Sequence, residues 1–437
     1  MYSVLAKDGF RQELYQEHLE EASFLYEQRR NLLAGDEVEW LRVGDFEERL
    51  QAHLDGLVVG GKVALQIAEK RTMEGEPGEL HAAVRLFCRQ DCRQTVLKLL
   101  ESVDLSVPAK LEAISAALQD ELPNAWHEEF LTCFRANPGK LAPAVMPAFV
   151  SRRMVTPPEV ADALQAMDGD LLLGMLRILG RTGDTGVCGL LAPYTRSEEP
   201  GIREQATIAL LRLGDDETRR WLIGLDPREA WAAVPLALCG GPSALEWLVR
   251  SRAKGGAKED FCRGIGLLGD ARGVEALLAE LNDTAAGAAA AKALDDLTGA
   301  VSDWSGAAFE SAAAKARTGS KLGSRSKQKD ALDPATWTRW WQEHRGDYLP
   351  GLRYHGGRPA SPWVALNDLG SPRATCRDRA IRYDELAIRY GLALPAESEA
   401  PVDRQLRALQ EELLRTKAAS GRFREGVWYF AGREVSR

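Results

Sequence analysis

The chain has 437 residues, of which 45% are hydrophobic and 27% are charged, and its formal net charge at pH 7 is −8. This length exceeds the roughly 250–300 residues at which a single hydrophobic core stops growing, so we expect several domains or an elongated array of repeats. The acidic balance argues against bulk attraction to nucleic acid or to anionic lipid.

The cellular location is predicted from two features of the sequence. No stretch is long and apolar enough to span a membrane, and the N-terminal residues MYSVLAKDGFRQELYQEHLEEA lack the apolar core of a signal peptide. The seven cysteines are an odd number spread thinly along the chain, which favours reduced thiols over a disulfide framework. We therefore expect a cytoplasmic protein that does not associate with a membrane.

Residues 1–75 are the first predicted region, and helix-forming residues dominate it. Within it, GLVVGGK at Gly56–Lys62 matches the G-x-x-x-x-G-K part of a phosphate-binding loop. Val63 follows, however, where that loop needs a hydroxyl group for magnesium. Apolar residues keep helical spacing across the motif, so we predict a helix whose glycines allow close packing or a bend.

Residues 76–168 continue as predicted helices with weaker periodicity. His81, Cys88 and Cys92 lie at i, i+7 and i+11 of one such helix, which aligns their side chains on one face. A zinc site would need further ligands at suitable spacing, whereas buried cysteines often act as small hydrophobic residues, so we predict core packing here.

The segment WHEEF at 126–130 places a histidine beside two carboxylates. Neighbours in sequence do not face each other on a helix, so we expect a solvated helix face rather than an acid and base pair. Motifs for metalloproteases, serine hydrolases and dinucleotide binding are missing from the sequence. The sequence therefore predicts no catalytic, cofactor-binding or metal-binding residue, and we expect a protein that is not an enzyme.

The clearest periodicity lies between residues 169 and 300, where five apolar segments each end in a glycine. These glycines, separated by 34, 26, 29 and 30 residues, are Gly180, Gly214, Gly240, Gly269 and Gly299. Apolar residues precede these glycines at spacings that place them on one helical face, although Asp295 and Thr298 break the pattern before Gly299. A period near thirty residues indicates stacked units.

Each unit is predicted to be a helical hairpin. Glycine supplies the left-handed conformation that ends a helix, and Asp216, Ser243 and Asp270 are then placed to cap the helix that follows. Hairpins of this length stack into an α-solenoid. We therefore predict an all-α chain with a solenoid over residues 76–300, clearest over residues 169–300.

Residues 301–332 are predicted to form a flexible basic loop. Its segment KARTGSKLGSRSKQKD, at 315–330, carries six lysines and arginines among glycine and serine. A solvated connector is favoured over a nucleic-acid contact, because the segment has no aromatic residue on which a base could stack.

Residues 333–437 are predicted to form a helical cap region. Trp337, Trp340 and Trp341 lie at i, i+3 and i+4 of a helix that begins at DP, so we expect them to form one apolar face that covers the end of the solenoid. In the following turn, Arg353, Tyr354 and His355 lie among glycines and prolines and are candidates for partner binding. The final GVWYFAGREV is either one short strand or an irregular cap.

A row of arginines on a C-terminal helix suggests a second class of function. Its members are Arg373, Arg377, Arg379, Arg382 and Arg389, and the pair Arg219 and Arg220 adds to the solenoid. HEAT-like DNA glycosylases hold DNA with such surfaces. Ion pairs with Asp378, Asp384 and Glu385 on the same helix are the favoured alternative, because these acids interleave with the arginines.

Several segments together resemble a known family. EEASFLYEQRRNLLAG (20–35) and DFEERLQAHLDGLVVGG (45–61), followed by HEAT-like units and then DPATWTRWWQEH (333–344), resemble an uncharacterised bacterial family of HEAT-repeat proteins. Its members often occur in type VI secretion gene neighbourhoods. The resemblance covers most of the chain, implies a scaffold or adaptor that works with secretion components or their cargo, and supplies no catalytic residue.

The sequence thus leads to one main expectation and two rivals. The main expectation is a cytoplasmic, non-catalytic α-solenoid of HEAT-like hairpins with helical capping regions, which binds a protein partner through Arg353, Tyr354, His355, Arg219 and Arg220. The first rival is a HEAT-like DNA-binding or base-excising protein. The second is a repeat-type lyase acting on a tetrapyrrole, which draws only on the general similarity of short HEAT repeats.

Overall fold

The computed structural model describes residues 2–35, 38–72, 75–300, 333–372, 374–419 and 421–435. The predicted basic loop at 301–332 and Arg373 lie outside these residues. The described chain is mostly helical and contains only two short β-hairpins, which confirms the all-α prediction. None of the helices in these ranges is long and apolar enough to cross a bilayer.

The chain divides into two compact units. Unit 1 comprises residues 1–193, 375–377 and 399–403, and unit 2 comprises residues 194–374, 378–398 and 404–437. The division falls inside the stretch predicted as one solenoid, 76–300.

Unit 1 contains ten α-helices among its described residues. They are α1 Tyr2–Ala34, α2 Val43–Thr72, α3 Pro77–Arg89, α4 Arg93–Ser102, α5 Pro108–Glu121, α6 His127–Ala136, α7 Pro138–Ser151, α8 Pro157–Gln165, α9 Gly169–Arg181 and α10 Cys188–Leu191. Helices α1, α3, α5, α7 and α9 pack successively against one another, and α4, α6 and α8 each pack on a member of that row.

Close packing of α1 on α2 explains the glycines of GLVVGGK. A Cβ atom at Gly60 would lie 2.8 Å from the ring of Tyr15, and one at Gly56 would lie 3.0 Å from the ring of His18. At Gly61 the backbone leaves the helical conformation, with φ 51° and ψ −127°, and the helix bends. The prediction of a helix in which glycines permit close contact and a bend is confirmed.

Unit 2 contains the remaining described elements. They are α11 Pro200–Arg212, α12 Asp216–Ile223, α13 Ala233–Cys239, α14 Ala244–Ala253, α15 Lys258–Leu268, α16 Val274–Glu280, α17 Gly287–Thr298, α18 Pro334–His344, β1 Tyr354–His355, β2 Arg358–Pro359, α19 Pro362–Leu369, α20 Cys376–Tyr390, α21 Val402–Ala418, β3 Tyr429–Phe430 and β4 Arg433–Glu434. Here α11, α13, α15 and α17 pack successively, and α12, α14 and α16 accompany them.

The helix ends predicted at the five glycines are partly right. Gly214, Gly269 and Gly299 have φ of 77°, 74° and 66°, the left-handed conformation expected after a helix. Gly180 instead lies inside α9, and Gly240 has φ −78°, so these two glycines do not adopt it.

The predicted helix caps are also partly right. The side chain of Asp270 caps the short helical turn Ala271–Gly273, as predicted. The cap of α12 is Asp215 rather than Asp216, because the carboxylate of Asp215 accepts a hydrogen bond from the Thr218 amide. Ser243 occupies the position before α14 but makes no capping hydrogen bond.

The tryptophans of α18 belong to the core of unit 2. Trp337 and Trp341 are buried in the same cluster as Leu236, Ile265 and Leu294, and Trp340 packs against that cluster. Helix α18 lies on α16. The prediction that these aromatic side chains form a buried apolar face is confirmed.

Candidate functional site

The predicted contact residues Arg353, Tyr354 and His355 are all buried. Tyr354 and His355 form β1, which pairs with β2 through a two-residue turn, Gly356 and Gly357. Both glycines have positive φ, 54° and 74°, as a tight hairpin turn of this kind requires. Burial leaves these three side chains little surface to offer to a partner, so the structure argues against that role for them.

Arg353 joins the β1–β2 hairpin to the end of α15. Its Nη2 donates to the carbonyl oxygen of Leu267 at 3.0 Å, and its Nε donates to that of Leu268 at 3.1 Å. The last carbonyl groups of a helix have no partner within the helix and carry its partial negative charge. A buried guanidinium group with several donors therefore satisfies the end of α15.

Arg389, near the end of α20, does the same for α13. It donates to the carbonyl oxygens of Ala237 and Gly240, the second at 3.3 Å. The side chain of Arg389 is fully buried, and its guanidinium carbon lies 5.6 Å from the centre of the Trp428 ring. Burial, together with repulsion from Arg353, lowers the pKa of Arg389 to about 9.

The turns of the two β-hairpins donate hydrogen bonds to the ends of two more helices. In the β1–β2 turn, Gly356 and Gly357 donate their amides to the carbonyl oxygens of Asp296 and Leu297 at the end of α17, at 2.8 and 2.9 Å. In the β3–β4 turn, Ala431 and Gly432 donate to Ile388 and Arg389 at the end of α20, at 2.7 and 2.9 Å. Sequence reasoning left GVWYFAGREV as one strand or an irregular cap, and the structure forms a hairpin there.

Glu385 lies at the centre of this buried charge cluster. Its two carboxylate oxygens contact the guanidinium groups of Arg353 and Arg382. Burial opposes ionisation of Glu385, but the two guanidinium groups outweigh it and hold the pKa of this carboxyl well below its ordinary value. The carboxylate of Glu385 and each of the two guanidinium groups therefore stabilise each other's charged form.

Three arginines of the predicted basic surface on α20 are buried and do not contribute to it. They are Arg379, Arg382 and Arg389. Arg379 donates to Gln405 and to the hydroxyl of Tyr383. The favoured ion pairs within the helix are present in part, since Arg382 pairs with Glu385. The other two acids pair outside it, Asp378 with Lys292 at 3.0 Å and Asp384 with Arg212 at 2.6 Å.

His355 and Asp368 form a second buried pair in unit 2. The Nε2 atom of His355 contacts a carboxylate oxygen of Asp368, and Arg358 lies 3.5 Å from the other oxygen. Burial raises the pKa of Asp368, but the hydrogen bond from His355 outweighs it and the net shift is downward. The pair ties β1 to α19, so His355 has a structural partner.

The other two predicted contact residues lie at the surface of α12. Arg219 is mostly covered, with 17% of its side chain exposed, and donates to the carbonyl oxygen of Cys239 at 3.3 Å. Arg220 exposes 71% of its side chain and pairs with Asp216, one turn earlier on the helix. Its role in partner binding stays a prediction.

Two tryptophans beside Arg220 form a feature that sequence reasoning missed. Trp221 and Trp231 lie with ring centres 5.9 Å apart, and the guanidinium group of Arg203 covers Trp231 at 4.8 Å. Both rings are partly buried, while Ile223 on the same helix is 42% exposed. We name Arg203, Trp221 and Trp231 the tryptophan surface. The sequence signal was present in the two tryptophans that follow the arginine pair within eleven residues.

The core packing predicted for His81, Cys88 and Cys92 is right for the first two, whereas Cys92 lies beyond the end of α3 and is only partly buried. His81 is buried and stacks on Tyr26 at 3.9 Å, and Cys88 is buried in the same helix. Within the described ranges no three histidine, cysteine or carboxylate side chains come together as metal ligands. In WHEEF, His127 packs edge-on against Phe149, and Glu129 pairs with Arg93 at 2.7 Å.

We expect the buried thiols to be inert in the folded protein. Cys88 and Cys239 are buried, and burial raises the pKa of each to about 12. The thiolate is the reactive form, so Cys88 and Cys239 should not react with a disulfide reagent at neutral pH until the chain is unfolded. Counting reactive thiols before and after addition of urea, with mass spectrometry to locate them, tests this. Labelling of either cysteine in the native protein would contradict it.

Comparison with known proteins gives no match on which to base a function. No protein-family model matches this sequence, and no curated protein matches it significantly.

Proposed function

We propose that this protein is a cytoplasmic, non-catalytic scaffold that binds a protein partner, built as an α-solenoid of HEAT-like hairpins. The successive packing of α11, α13, α15 and α17, each accompanied by a second helix, supports this proposal. Repeats of this kind expose extended surfaces that suit protein binding. The tryptophan surface is the single observation that carries the binding role.

The tryptophan surface has the composition of an interface centre. Tryptophan and arginine are the residues most enriched where a few side chains carry most of the binding energy. The indole rings of Trp221 and Trp231 are held by one another and by Arg203, so they lose little conformational freedom when a partner covers them. Arg220 and Ile223 are exposed on the same helix as Trp221, so α12 also presents one charged and one apolar group to solvent.

The proposed partner is a type VI secretion component or an effector that is its cargo. This step rests on the resemblance of residues 20–35, 45–61 and 333–344 to the HEAT-repeat family found in those gene neighbourhoods. The buried state of Arg379, Arg382 and Arg389 weakens the rival proposal of DNA binding, since it removes three cations from the surface on which that proposal rested.

Replacing Trp231 by alanine should weaken partner binding about thirty-fold, the effect of losing a central interface residue worth roughly 2 kcal/mol. The purified wild-type chain is used to capture its partner from the native organism, and binding of that partner is then measured by calorimetry. Trp363→Ala is the matched control, because Trp363 is a 41% exposed tryptophan on α19 and lies outside the tryptophan surface.

Two results would overturn the proposal. One is equal binding by the Trp231→Ala variant and the Trp363→Ala control, which would remove the tryptophan surface from the interface. The other is capture of nucleic acid alone, together with a mobility shift of duplex DNA that weakens as salt is raised, which would favour the DNA-binding rival.

A further inference from the structure

A contact between two histidines connects α1 to α2 in unit 1. The Nδ1 atoms of His18 and His53 lie 3.0 Å apart, and the two rings meet edge to face with centres separated by 5.1 Å. The ring of His18 fits there because Gly56 faces it, since a Cβ atom at that position would lie 3.0 Å from two ring atoms. The contact is half-buried, so protons from solvent can reach it.

This geometry tolerates one Nδ1 proton and not two. A hydrogen bond between two ring nitrogens needs one imidazole to donate and the other to accept through a bare nitrogen. When both rings are protonated, each Nδ1 carries a hydrogen and each ring carries a positive charge, so the contact becomes repulsive. We propose that His18 and His53 form a pH-sensitive clasp that holds the α1–α2 hairpin closed at neutral pH and loosens it in acid.

The surroundings of His53 agree with this mechanism. Burial lowers the pKa of His53, and the charge of His18 lowers it further. The other charged groups that act on His53 are Glu17 and Glu21 of α1, which favour its protonated form, and Arg49 of α2, which disfavours it. Arg49 lies 3.9 Å from Glu21, so these two groups partly offset each other.

The direction of the pH effect follows from that shift. Because the pKa of His53 is lower in the folded chain than its ordinary value of 6.5, the unfolded chain binds the proton more readily. The clasp therefore stabilises the fold fully above pH 6.5, the ordinary pKa of histidine. This stabilisation is lost as the pH falls through the lower pKa that His53 has in the folded chain.

Two measurements on the full-length protein test the clasp. Heteronuclear NMR of histidine-labelled protein gives the pKa of His53, which should rise in the His18→Gln variant because a neighbouring charge has been removed. Hydrogen exchange by mass spectrometry, corrected for intrinsic rates, should show that peptides around His18 and His53 exchange roughly threefold to tenfold faster at about pH 5 than at about pH 7.5, the effect of losing one hydrogen bond.

The controls separate the clasp from general acid sensitivity. His18→Gln and His53→Gln should each reduce the pH dependence of exchange in this hairpin, because two positive charges can then no longer meet at the contact. His127→Gln, which alters a histidine on α6, should leave it intact. Chelator is present throughout, because paired imidazoles also bind transition metals. An unchanged pKa of His53 in His18→Gln, or equal pH dependence in wild type and both pair variants, would overturn the proposal.

Discussion

Replacing Glu385 by alanine should lower the free energy of unfolding of unit 2 by about 3–5 kcal/mol, the usual effect of removing one partner from a buried ion pair. Glu385 is the direct carboxylate partner of two buried guanidinium groups, those of Arg353 and Arg382. Without Glu385, Arg353 keeps its carbonyl partners at the end of α15 but loses its compensating charge. Urea unfolding followed by tryptophan fluorescence measures the change, because most tryptophans lie in unit 2.

An exposed glutamate provides the control for this prediction. Glu411 on α21 exposes 64% of its side chain and lies 3.6 Å from Arg415, so Glu411→Ala should change the unfolding free energy by less than about 1 kcal/mol. The effect of Glu385→Ala should stay constant above the ordinary carboxyl pKa of 4.5 and shrink as the pH falls below it, because the folded-state pKa is lowered. Equal effects of the two substitutions would contradict the role given to Glu385.

Replacing Gly269 by alanine should destabilise unit 2 by about 3 kcal/mol or more, because two separate costs add. Gly269 has φ 74°, a conformation that disfavours any residue with a side chain. A methyl group there would also overlap with the carbonyl oxygen of Tyr354, the first residue of β1. The Tyr354 amide donates to the Gly269 carbonyl at 2.8 Å, so strand and glycine cannot separate without losing that hydrogen bond.

Gly255 is a matched control for Gly269. Its φ is 93°, also in the left-handed range, but nothing lies within 4 Å of the position that a Cβ atom would occupy. Gly255→Ala should therefore show the backbone cost alone, about 1–2 kcal/mol. The difference between the two variants, measured by urea unfolding, gives the cost of the close approach to Tyr354. Equal destabilisation by the two substitutions would mean that β1 can move away from residue 269 without cost.

The helical hairpins of unit 2 could be predicted from the sequence because their signals are local. Apolar residues at helical spacing and a terminal glycine act within one unit, and Gly214, Gly269 and Gly299 adopt the expected conformation. Gly240 departs from the expectation, and the guanidinium group of Arg389 donates to its carbonyl oxygen at the end of α13. Asp215 and Asp216 are adjacent and both suit a helix cap. The spacing of apolar residues did not show at which of the two α12 begins.

The roles of the arginines could not be predicted because their partners are distant in sequence. Arg353 and Leu268 are 85 residues apart, and Arg389 and Ala237 are 152 residues apart. A row of arginines on one helix looks the same in sequence whether it faces solvent or the carbonyl ends of other helices. The tryptophan surface was missed for a related reason, since the contact of Trp221 with Trp231 depends on how the loop after α12 folds back.

The contacts of Arg353, Arg389 and the two hairpin turns have a consequence for the order in which the protein can be made. During synthesis, α13, α15 and α17 leave the ribosome well before the residues that satisfy their last carbonyl groups. An open array of repeats can fold unit by unit as each emerges, because each repeat needs only its neighbours. Unit 2 instead completes its helix ends only after residue 432 has been added, and contacts across such separations slow folding. The last carbonyl groups of α13 and α20 therefore gain these protein partners only once Arg389 and Gly432 have been made.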